Sequence, residues 1–333
     1  MTESGKNIWV FGDYRNYFQN RVTLQLLSRA RDLAPALDAE VCAVILGHEL
    51  EEYVGEYIAH GAQTVYVMDD PVLKDYNVER YADLTARLAA VHAPGILLVG
   101  ATDFGREFAP VLAKRLKTGL TADCIDLGID EDGLLVQTAP SFGGNLIADI
   151  VTPDARPQMA TVRPGTFQEI PHDDTARGRV VRLPLPEDLP VPRVRLISAQ
   201  RLPQRTQCLE EADVVICGGR GMGTRAKFKK LFDLARLMEG EVGATRPVVH
   251  AKWAGHDALV GQAGRHVRPK ILFSFGISGA IQHTAALSGA DFIIAVNKNP
   301  HATMMKMADV AVVADASQVC SALIRELKAR IRE

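Results

Sequence analysis

The sequence lacks the features that mark several large classes of protein. Its 38 lysines and arginines are balanced by 40 aspartates and glutamates, so there is no basic excess to attract nucleic acid or an anionic membrane. The first apolar run, Ile8–Phe11, has no basic region before it and no long hydrophobic stretch around it. We therefore expect no nucleic-acid partner, no integral membrane segment and no signal peptide.

Cysteine is scarce and scattered along the chain. The five cysteines form no Cys-x-x-Cys pair and have no metal-ligand spacing. They are Cys42, Cys124, Cys208, Cys217 and Cys320. An odd and unclustered set is typical of a reducing compartment, so we expect a cytoplasmic protein without a metal site. Cys217 ends an apolar run, which favours a role in core packing over a reactive thiol.

Two common nucleotide-binding motifs are missing as well. The turn Gly218–Gly223 does not have the spacing of the Gly-x-Gly-x-x-Gly fingerprint. The next apolar run ends at His250-Ala251, where a dinucleotide fold would place an acidic residue for the ribose. No Walker A lysine follows any glycine turn. A hydride-transferring dehydrogenase and a P-loop NTPase are therefore both disfavoured.

The patterning that is present predicts an α/β protein with two doubly wound parallel-sheet domains. A chain of 333 residues can form two domains, each with its own core. Between residues 6 and 180, continuous apolar strands alternate with amphipathic helices, as in a parallel sheet covered on both faces. The predicted strands are Ile8–Phe11, Val41–Leu46, Val65–Met68 and Ile96–Val99. The predicted helices are Val22–Leu37, Leu50–His60, Val78–His92 and Phe108–Leu116.

From residue 119 onwards the pattern changes to successive strands, which we interpret as a β-rich extension of the first sheet. These strands are Cys124–Ile129, Leu134–Thr138, Asn145–Val151 and Gln158–Val162. Seven prolines between residues 164 and 205 then interrupt any periodicity, although Val180–Leu183 and Val194–Ser198 are candidate short strands. We predict a first domain at residues 1–190, a linker at 191–207 and a second domain at 208–333.

Strand and helix alternate again in the second domain. The predicted strands are Val214–Cys217, Val248–Ala251, Ile271–Phe275, Phe292–Val296 and Val310–Val313. The predicted helices are Ala226–Met238, Ile281–Leu287 and Val319–Ile331. Five strands with their helices are enough for a second doubly wound sheet.

Three glycine-bearing turns in this domain each follow a β-like run. They are Gly218–Gly223, Leu259–Gly264 and Gly276–His283. A strand, a glycine turn and a helix together aim backbone N–H groups at an anion such as a phosphate. Arg220 can pair with a phosphate through two hydrogen bonds, and Ser278 is a candidate helix N-cap or phosphate ligand. The three turns therefore predict one nucleotide site.

These turns closely resemble the FAD-binding domain of the α subunit of electron transfer flavoproteins. The stretches that carry the resemblance are Gly218–Gly221, Val242–Arg246, Val260–Gly264, Gly276–His283, Ala295–Pro300 and Ala308-Asp309. The first domain is similar, more loosely, to prokaryotic α subunits, including those of anaerobic and bifurcating relatives. That similarity rests on Thr118–Asp123, Phe142–Asn145 and Gln158–Pro164.

The resemblance implies an FAD-binding Rossmann-like C-terminal domain and roles for its residues. Arg220 and the turn Ser278–His283 would bind the pyrophosphate and the flavin edge. Arg246 would lie against the isoalloxazine, and His283 near its pyrimidine carbonyl, where both support negative charge. The full expected set is Arg220, Thr245, Arg246, Val260, Gly261, Gln262, Ala263, Ser278, Gly279, Ala280, Ile281, Gln282, His283, Asn297, Asp315 and Ala316, of which Asn297 and Asp315 would hold the ribose and adenine portion.

The sequence departs from the family pattern at several positions. Ala263 stands where relatives usually carry a hydroxyl that can hydrogen-bond flavin N5, which predicts a shifted stability of the half-reduced flavin unless another group substitutes. Thr245 replaces a usual serine and keeps the hydroxyl, and His250 replaces a usual aspartate. Asn299, His301 and Met304-Met305 replace the more common Asp, Glu and Pro-Ile-Phe pattern. These changes leave FAD binding expected and affect the potential and the choice of partner.

The function implied is that of an electron-carrying subunit without catalytic residues of its own. It would pair with an electron transfer flavoprotein β subunit and exchange electrons with an acyl-CoA dehydrogenase or similar flavin dehydrogenase. If the β subunit holds a second FAD and an NADH site, the pair could bifurcate electrons, with ferredoxin as an acceptor; if it holds AMP, the pair is a simple shuttle. The alternatives are a free-standing flavoenzyme and an adenine-nucleotide-binding module.

Overall fold

The computed structural model describes residues 5–15, 17–141, 146–189, 191–194, 196–199, 209–210, 212–287 and 289–330. The chain divides into two units, residues 1–200 and residues 201–333. The predicted linker at 191–207 and the domain limits around it stay a prediction. Residue 194 and residues 196–198 carry no helix or strand, so the strand predicted there is wrong. The motif at 142–145, Cys208 and the last residue of the final predicted helix lie outside the described residues.

The first unit contains ten described strands and four described α-helices. The strands are β1 (Ile8–Phe11), β2 (Val41–Gly47), β3 (Thr64–Asp69), β4 (Ile96–Gly100), β5 (Leu120–Cys124), β6 (Asp126–Ile129), β7 (Leu135–Ser141), β8 (Leu146–Ile150), β9 (Gln158–Val162) and β10 (Arg179–Arg182). The helices are α1 (Tyr17–Leu37), α2 (Glu51–Ala59), α3 (Val78–His92) and α4 (Asp103–Leu116). Seven strands form a parallel sheet in the order β10-β3-β2-β1-β4-β9-β5.

The first sheet is buried on both faces because helices cover each of them. Ile8 and Val10 of β1 belong to a core cluster with side chains of α1 and α2. Trp9 and Phe11 alternate to the opposite face, where they pack with side chains of α3 and α4. All four residues are at most 2% exposed. This two-sided burial explains why the strand reads as a continuous apolar run in the sequence.

The predicted β-rich extension of the first sheet is correct only in part. The run Cys124–Ile129, predicted as one strand, divides into the end of β5 and a separate β6. β5 and β9 join the parallel sheet, whereas β6, β7 and β8 form an antiparallel sheet of their own. The pairing of β5 with β9 shifts register between Thr121 and Cys124, where Asp123 has a left-handed φ of 60°. The chain leaves the first sheet after Cys124 and enters β6 at Asp126.

The second unit contains five described strands, all parallel, with helices between them. The strands are β11 (Val214–Gly218), β12 (Glu241–Ala244), β13 (Ile271–Phe275), β14 (Ile293–Asn297) and β15 (Val310–Val313). The helices are α5 (Arg225–Leu237), α6 (Arg246–His250), α7 (Ile281–Thr284), α8 (Thr303–Met307) and α9 (Ala316–Arg330). The strand order is β12-β11-β13-β14-β15. The predicted fold class, two doubly wound α/β domains, is therefore confirmed.

The strand predicted at Val248–Ala251 is wrong. These residues belong to α6 and the turn after it, because Pro247 occupies the first turn of that helix, where its fixed φ suits a helix. The strand that takes the predicted position in the sheet is β12, whose glycine and alanine weaken its apolar signal. Gly243 has to be small: a Cβ there would lie 2.6 Å from the Sγ of Cys217 and 2.8 Å from Val260.

Each parallel sheet has a central point where the direction of strand addition reverses. In the first unit this switch point lies between β1 and β4, and in the second between β11 and β13. Ligands of doubly wound sheets bind at the carboxyl ends of the strands at such a point. No helix within the described part of the chain is long and apolar enough to cross a membrane.

Candidate cofactor-binding site

A cavity of about 690 Å³ opens at the carboxyl ends of β11 and β13, at the switch point of the second sheet. Its volume lies within the range of roughly 300–1,000 Å³ that is usual for small-molecule and cofactor pockets. Four turns supply its wall. The lining residues are Gly219, Arg220, Gly221, Thr245, Arg246, Pro247, Leu259, Val260, Gly261, Gln262, Ala263, Gly276, Ile277, Ser278, Ala280, Gln282, His283 and Asn297.

Two of these turns touch through their backbones. The N–H of Gly219 donates to the carbonyl of Phe275 at 2.9 Å, and the N–H of Gly221 donates to the carbonyl of Gly276 at 3.0 Å. A Cβ on Gly221 would lie 2.6 Å from the Cα of Gly276, which itself has a left-handed φ of 64°. The glycines are therefore required by this close approach, which leaves no side chain between the two strand ends.

The turn Ser278–Ala280 presents polar backbone to the cavity. Gly279 has a left-handed φ of 82° and packs against α8, where the N–H of Met304 donates to the carbonyl of Ser278 at 3.2 Å. Ser278 and Ala280 both line the cavity, and no described residue accepts a hydrogen bond from their N–H groups. Successive N–H groups around a left-handed residue form a concave anion site. Ala280, not Ser278, is the N-cap of α7, so the alternative role of Ser278 as N-cap is wrong.

His283 is buried at the cavity with one ring nitrogen committed and the other free. Its Nδ1 lies 2.9 Å from the carbonyl of Val260, so Nδ1–H donates to that oxygen. Nε2 has no partner among the described residues, although the side chain is only 5% exposed. Burial lowers the pKa of His283, and the hydrogen bond to Val260 offsets this only partly. The neutral ring therefore offers the lone pair of Nε2 to a ligand.

Two arginines bring positive charge to the cavity. Arg220 follows β11, and Arg246 is the first residue of α6. Neither forms an ion pair with a residue in the described part of the chain. Thr245, the N-cap of α6, does not use its hydroxyl as a cap, so this group is also left to the cavity. The wall thus combines two cations with hydrogen-bonding groups and apolar surface from Pro247.

Comparison with known proteins identifies the family of this chain and the cofactor of that family. A family model described as "Electron transfer flavoprotein domain" matches residues 8–188, and one described as "Electron transfer flavoprotein FAD-binding domain" matches residues 208–288. The chain belongs to the electron transfer flavoprotein α-subunit family. The electron transfer flavoprotein subunit alpha of Thermoanaerobacterium thermosaccharolyticum is 45% identical over 97% of this chain and 98% of its own length. That of Clostridium acetobutylicum is 40% identical over 97% of both chains, and Protein FixB of Bradyrhizobium diazoefficiens is 40% identical over 99% of this chain and 90% of its own.

The cavity suits the FAD that this flavoprotein family binds. FAD combines an anionic pyrophosphate with a flat ring that is apolar on its faces and polar along its edges. The free N–H groups of Ser278 and Ala280, with Arg220, match the anion. The buried and unpartnered Nε2 of His283 is matched by a polar ring edge, since a group of this kind is rarely left without a hydrogen-bond partner. The residues of this cavity therefore fit FAD.

The structure brings most of the site residues expected from the flavoprotein resemblance to this cavity. All of them line it except Gly279, Ile281, Asp315 and Ala316. Gly279 and Ile281 alternate along the turn with Ser278, Ala280 and Gln282, which line the cavity. The Nζ of Lys298 instead donates a hydrogen bond to the carboxylate of Asp315 at 2.8 Å, and this bond lowers the pKa of Asp315. Ala316 is 2% exposed in the core. The ribose or adenine role expected for Asp315 and the cofactor contact expected for Ala316 stay predictions.

Sequence reasoning missed several residues of the flavoprotein cavity wall. These are Gly219, Gly221, Pro247, Leu259, Gly276 and Ile277. All of them except Pro247 lie within the three glycine turns that predict the nucleotide site, but the sequence assigned none of them an individual role. Asn297 has a second role that its motif did not indicate: its Nδ2–H donates to the carbonyl of Ile277 at 2.7 Å and ties β14 to the turn after β13.

Cys217 behaves as its position at the end of an apolar run predicts. The side chain is fully buried, and burial raises the pKa of its thiol to about 12, so it stays protonated at neutral pH. The described residues contain no group of three or more His, Cys, Asp and Glu that could hold a metal ion.

Proposed function

We propose that this chain is the FAD-binding α subunit of a heterodimeric electron transfer flavoprotein, located in the cytoplasm, which carries electrons between a dehydrogenase and an acceptor. One observation carries the proposal furthest. In the cavity of a family FAD-binding domain, the described lining contains one histidine, His283, which is hydrogen-bonded to Val260, and no Asp, Glu, Lys, Cys or Tyr. The described lining thus has no acid–base pair for substrate chemistry.

FAD would supply reversible one- and two-electron chemistry, and the protein residues would bind it and adjust its potential. Arg220 and the N–H groups of Ser278 and Ala280 would hold the pyrophosphate oxygens. Arg246 would face the ring system with a fixed positive charge, which favours a reduced and negatively charged ring. Pro247, Leu259 and Ile277 would exclude water from that region and strengthen the effect of the charge.

Ala263 leaves a specific gap in this arrangement, since its methyl group cannot donate a hydrogen bond. Its backbone N–H, however, has no acceptor among the described residues, and the residue lines the cavity. We propose that this N–H takes over part of the role that a side-chain hydroxyl has in relatives.

His283 would support negative charge only with a proton on Nε2. With Nδ1–H committed to Val260, the neutral ring has an acceptor at Nε2 and cannot donate from it. A ligand that gains negative charge beside Nε2 would raise the pKa of the ring against the effect of burial.

We propose an electron transfer flavoprotein β subunit as the obligatory partner. The relatives are named as α subunits, which implies a second chain. The first unit also exposes apolar surface that a partner can cover: Leu146, Ile147 and Ile150 of β8 are 58%, 66% and 39% exposed. Electron donors of the acyl-CoA dehydrogenase type or NADH, and ferredoxin as an acceptor in a bifurcating pair, belong to the same proposal.

The proposal is tested by co-expressing this chain with the protein of its neighbouring gene. The purified complex is titrated with dithionite and then with NADH while the flavin spectrum is recorded. Two FAD per heterodimer, both reduced by NADH, would support a bifurcating or NADH-linked pair. One FAD that NADH does not reduce would support a simple shuttle. A complex without flavin would refute the proposal.

A further inference from the structure

A second cleft in residues 201–333 lies between α5 and the segment after α6. Its volume is about 870 Å³. Arg225, Lys229, Phe232 and Asp233 of α5 form one side of it. Val249 and residues 252–256 form the other side. No residue of this cleft lines the FAD cavity, and the proposed electron-carrier function leaves the cleft without a role.

The charge of the cleft is positive. Arg225, Lys229 and Lys252 line it, and none of them forms an ion pair with another described residue. Its single lining carboxylate, Asp233, lies 3.6 Å from Arg236, so its charge is partly balanced. Lys252 has a left-handed φ of 56°, a conformation that glycine adopts more readily.

Aromatic surface lies between these cations. Phe232 is 38% exposed, and Trp253 is half-buried with its ring centroid 6.3 Å from that of Phe228. On α5, Arg225, Lys229 and Phe232 follow one another at helical spacings of four and three, so they share one face of the helix. They form a stripe of roughly 10 Å at 1.5 Å per residue, which suits an extended segment.

One short helix connects this cleft to the FAD cavity. Arg246 and Pro247 at the start of α6 line the cavity, and Val249, near its end, lines the cleft. A five-residue helix is roughly 7 Å long. A protein seated in the cleft would therefore come close to the cofactor. Electron transfer between proteins requires this proximity, because its rate falls steeply with distance.

We propose that this cleft is a docking surface for an acidic segment, with an apolar side chain between its carboxylates, on a protein that exchanges electrons with the flavin. The unpaired cations would meet the carboxylates, and the surface of Phe232 and Trp253 would take the apolar side chain. A redox encounter of this kind is small and transient, so charge complementarity contributes most to its association rate. The identity of the occupant as a redox partner rests on the proposed electron-carrier function.

The test uses the co-expressed complex and fluorescein-labelled peptides. The probe is the acidic peptide EELEE, and QQLQQ is its uncharged counterpart. Fluorescence anisotropy measures binding at low and at physiological salt. The charge-reversed double variant Lys229→Glu with Lys252→Glu is expected to bind EELEE roughly tenfold more weakly than the unaltered protein at low salt. Phe232→Ser is expected to bind it roughly threefold more weakly, because the apolar contact is small.

Lys227→Glu is the matched control. It reverses one charge on the helix that carries Lys229, half the charge change of the double variant, at a residue that does not line the cleft. Its affinity for EELEE is expected to stay within about twofold of that of the unaltered protein, since exposed charges outside the contact are screened. An equal loss in this control would show a non-specific effect of net charge and overturn the proposal, as would equal binding of QQLQQ or no binding at all.

Sodium tripolyphosphate distinguishes a protein partner from a small anion. If it binds the unaltered complex more tightly than EELEE does, and the double variant loses that binding, the cleft is an anion site and the proposal is wrong. The absorbance of bound FAD is recorded for every variant. Retained FAD shows that the variants are folded, whereas a complex without FAD would refute the electron-carrier function and leave the peptide result to be judged separately.

Discussion

The two units of this chain reach the same kind of topological switch point and use it differently. In the first unit, the polar side chains that follow β1 and β4 bond to one another. Asp13 accepts hydrogen bonds from the Oγ1 of Thr102 at 2.9 Å and from the Nε of Arg15 at 2.8 Å. In the second unit, glycines follow β11 and β13, and a cavity of about 690 Å³ opens beside them.

The residues directly after the strands account for this difference. In the first unit, the guanidinium of Arg15 stacks 3.4 Å from the ring centroid of Phe104, and the hydroxyl of Tyr14 takes the space above Gly47. The side chain of Arg15 thus occupies space beside the ends of β1 and β4, and that of Tyr14 lies beside the end of β2. In the second unit, Gly219 and Gly221 contribute only backbone, so the position stays open. A switch point becomes a ligand site only where the following residues leave it empty.

The largest expected effect comes from filling the open switch point. In Gly221→Val, the new Cβ would lie 2.6 Å from the Cα of Gly276 and force the two turns apart. We expect the complex to lose most of its FAD and about 3 kcal/mol of unfolding free energy. Bound FAD is measured by absorbance and stability by urea unfolding.

The control for this variant is Gly55→Ala in α2 of the first unit. An added Cβ there meets no heavy atom within 4 Å. Because glycine is less favourable than alanine within a helix, we expect the free energy of unfolding to rise by roughly 0.5–1 kcal/mol. If Gly221→Val kept full FAD occupancy, the close approach of the two turns would not define the site.

The second effect comes from opening the closed switch point. Asp13→Ala leaves Arg15 and Thr102 without their acceptor in a region where Asp13 itself is 2% exposed. We expect the free energy of unfolding of the first unit to fall by about 2 kcal/mol. This is less than for a fully buried pair, because Arg15 is partly exposed. Bound FAD should stay unchanged, and the exposed Asp154→Ala should have no effect on either measurement. A parallel loss of FAD would contradict the separation of roles.

The third effect concerns the cations of the open switch point. Arg246→Gln removes a charge that lines the cavity, and we expect FAD affinity to fall roughly tenfold. The tenfold loss corresponds to a free energy. If the charge of Arg246 stabilises the reduced ring over the oxidised ring by that amount, its removal should lower the two-electron potential of the flavin by about 30 mV. Arg246→Lys keeps the charge, so its FAD affinity and its two-electron potential should both fall less. Equal losses in the two variants would show that shape, not charge, is what Arg246 provides.

The smallest effect is a pH dependence from His283. Burial lowers its pKa in the folded state, so just below the usual value of 6.5 the unfolded chain binds a proton that the folded chain does not. The free energy of unfolding of the flavin-free protein should therefore fall as the pH decreases through this window. Thermal unfolding of His283→Gln should show a shallower fall. An identical pH dependence would mean that the ring is not buried as a neutral group.

Long elements with strong signals could be predicted from the sequence. Helix α3 spans the predicted Val78–His92, since Asn77 caps it through the N–H of Arg80 and its apolar residues repeat at helical spacing. β1 and β2 were predicted because two-sided burial demands continuous apolar residues. Short elements were not: α6 and β12 are five and four residues long, too short for periodicity to distinguish helix from strand.

The alternation of strands and helices, the glycine turns and the family could be predicted from the sequence, because these depend on local chemistry and on motifs that are contiguous along the chain. Only the tertiary structure decided which turns meet. Ser278, Thr245 and Gln262 lie on different turns and face one cavity because parallel strands bring their carboxyl ends to the same edge of the sheet. It also decided that Asp13 and Thr102, 89 residues apart, close the other switch point with a hydrogen bond. Spacing along the chain carries no signal for such a contact.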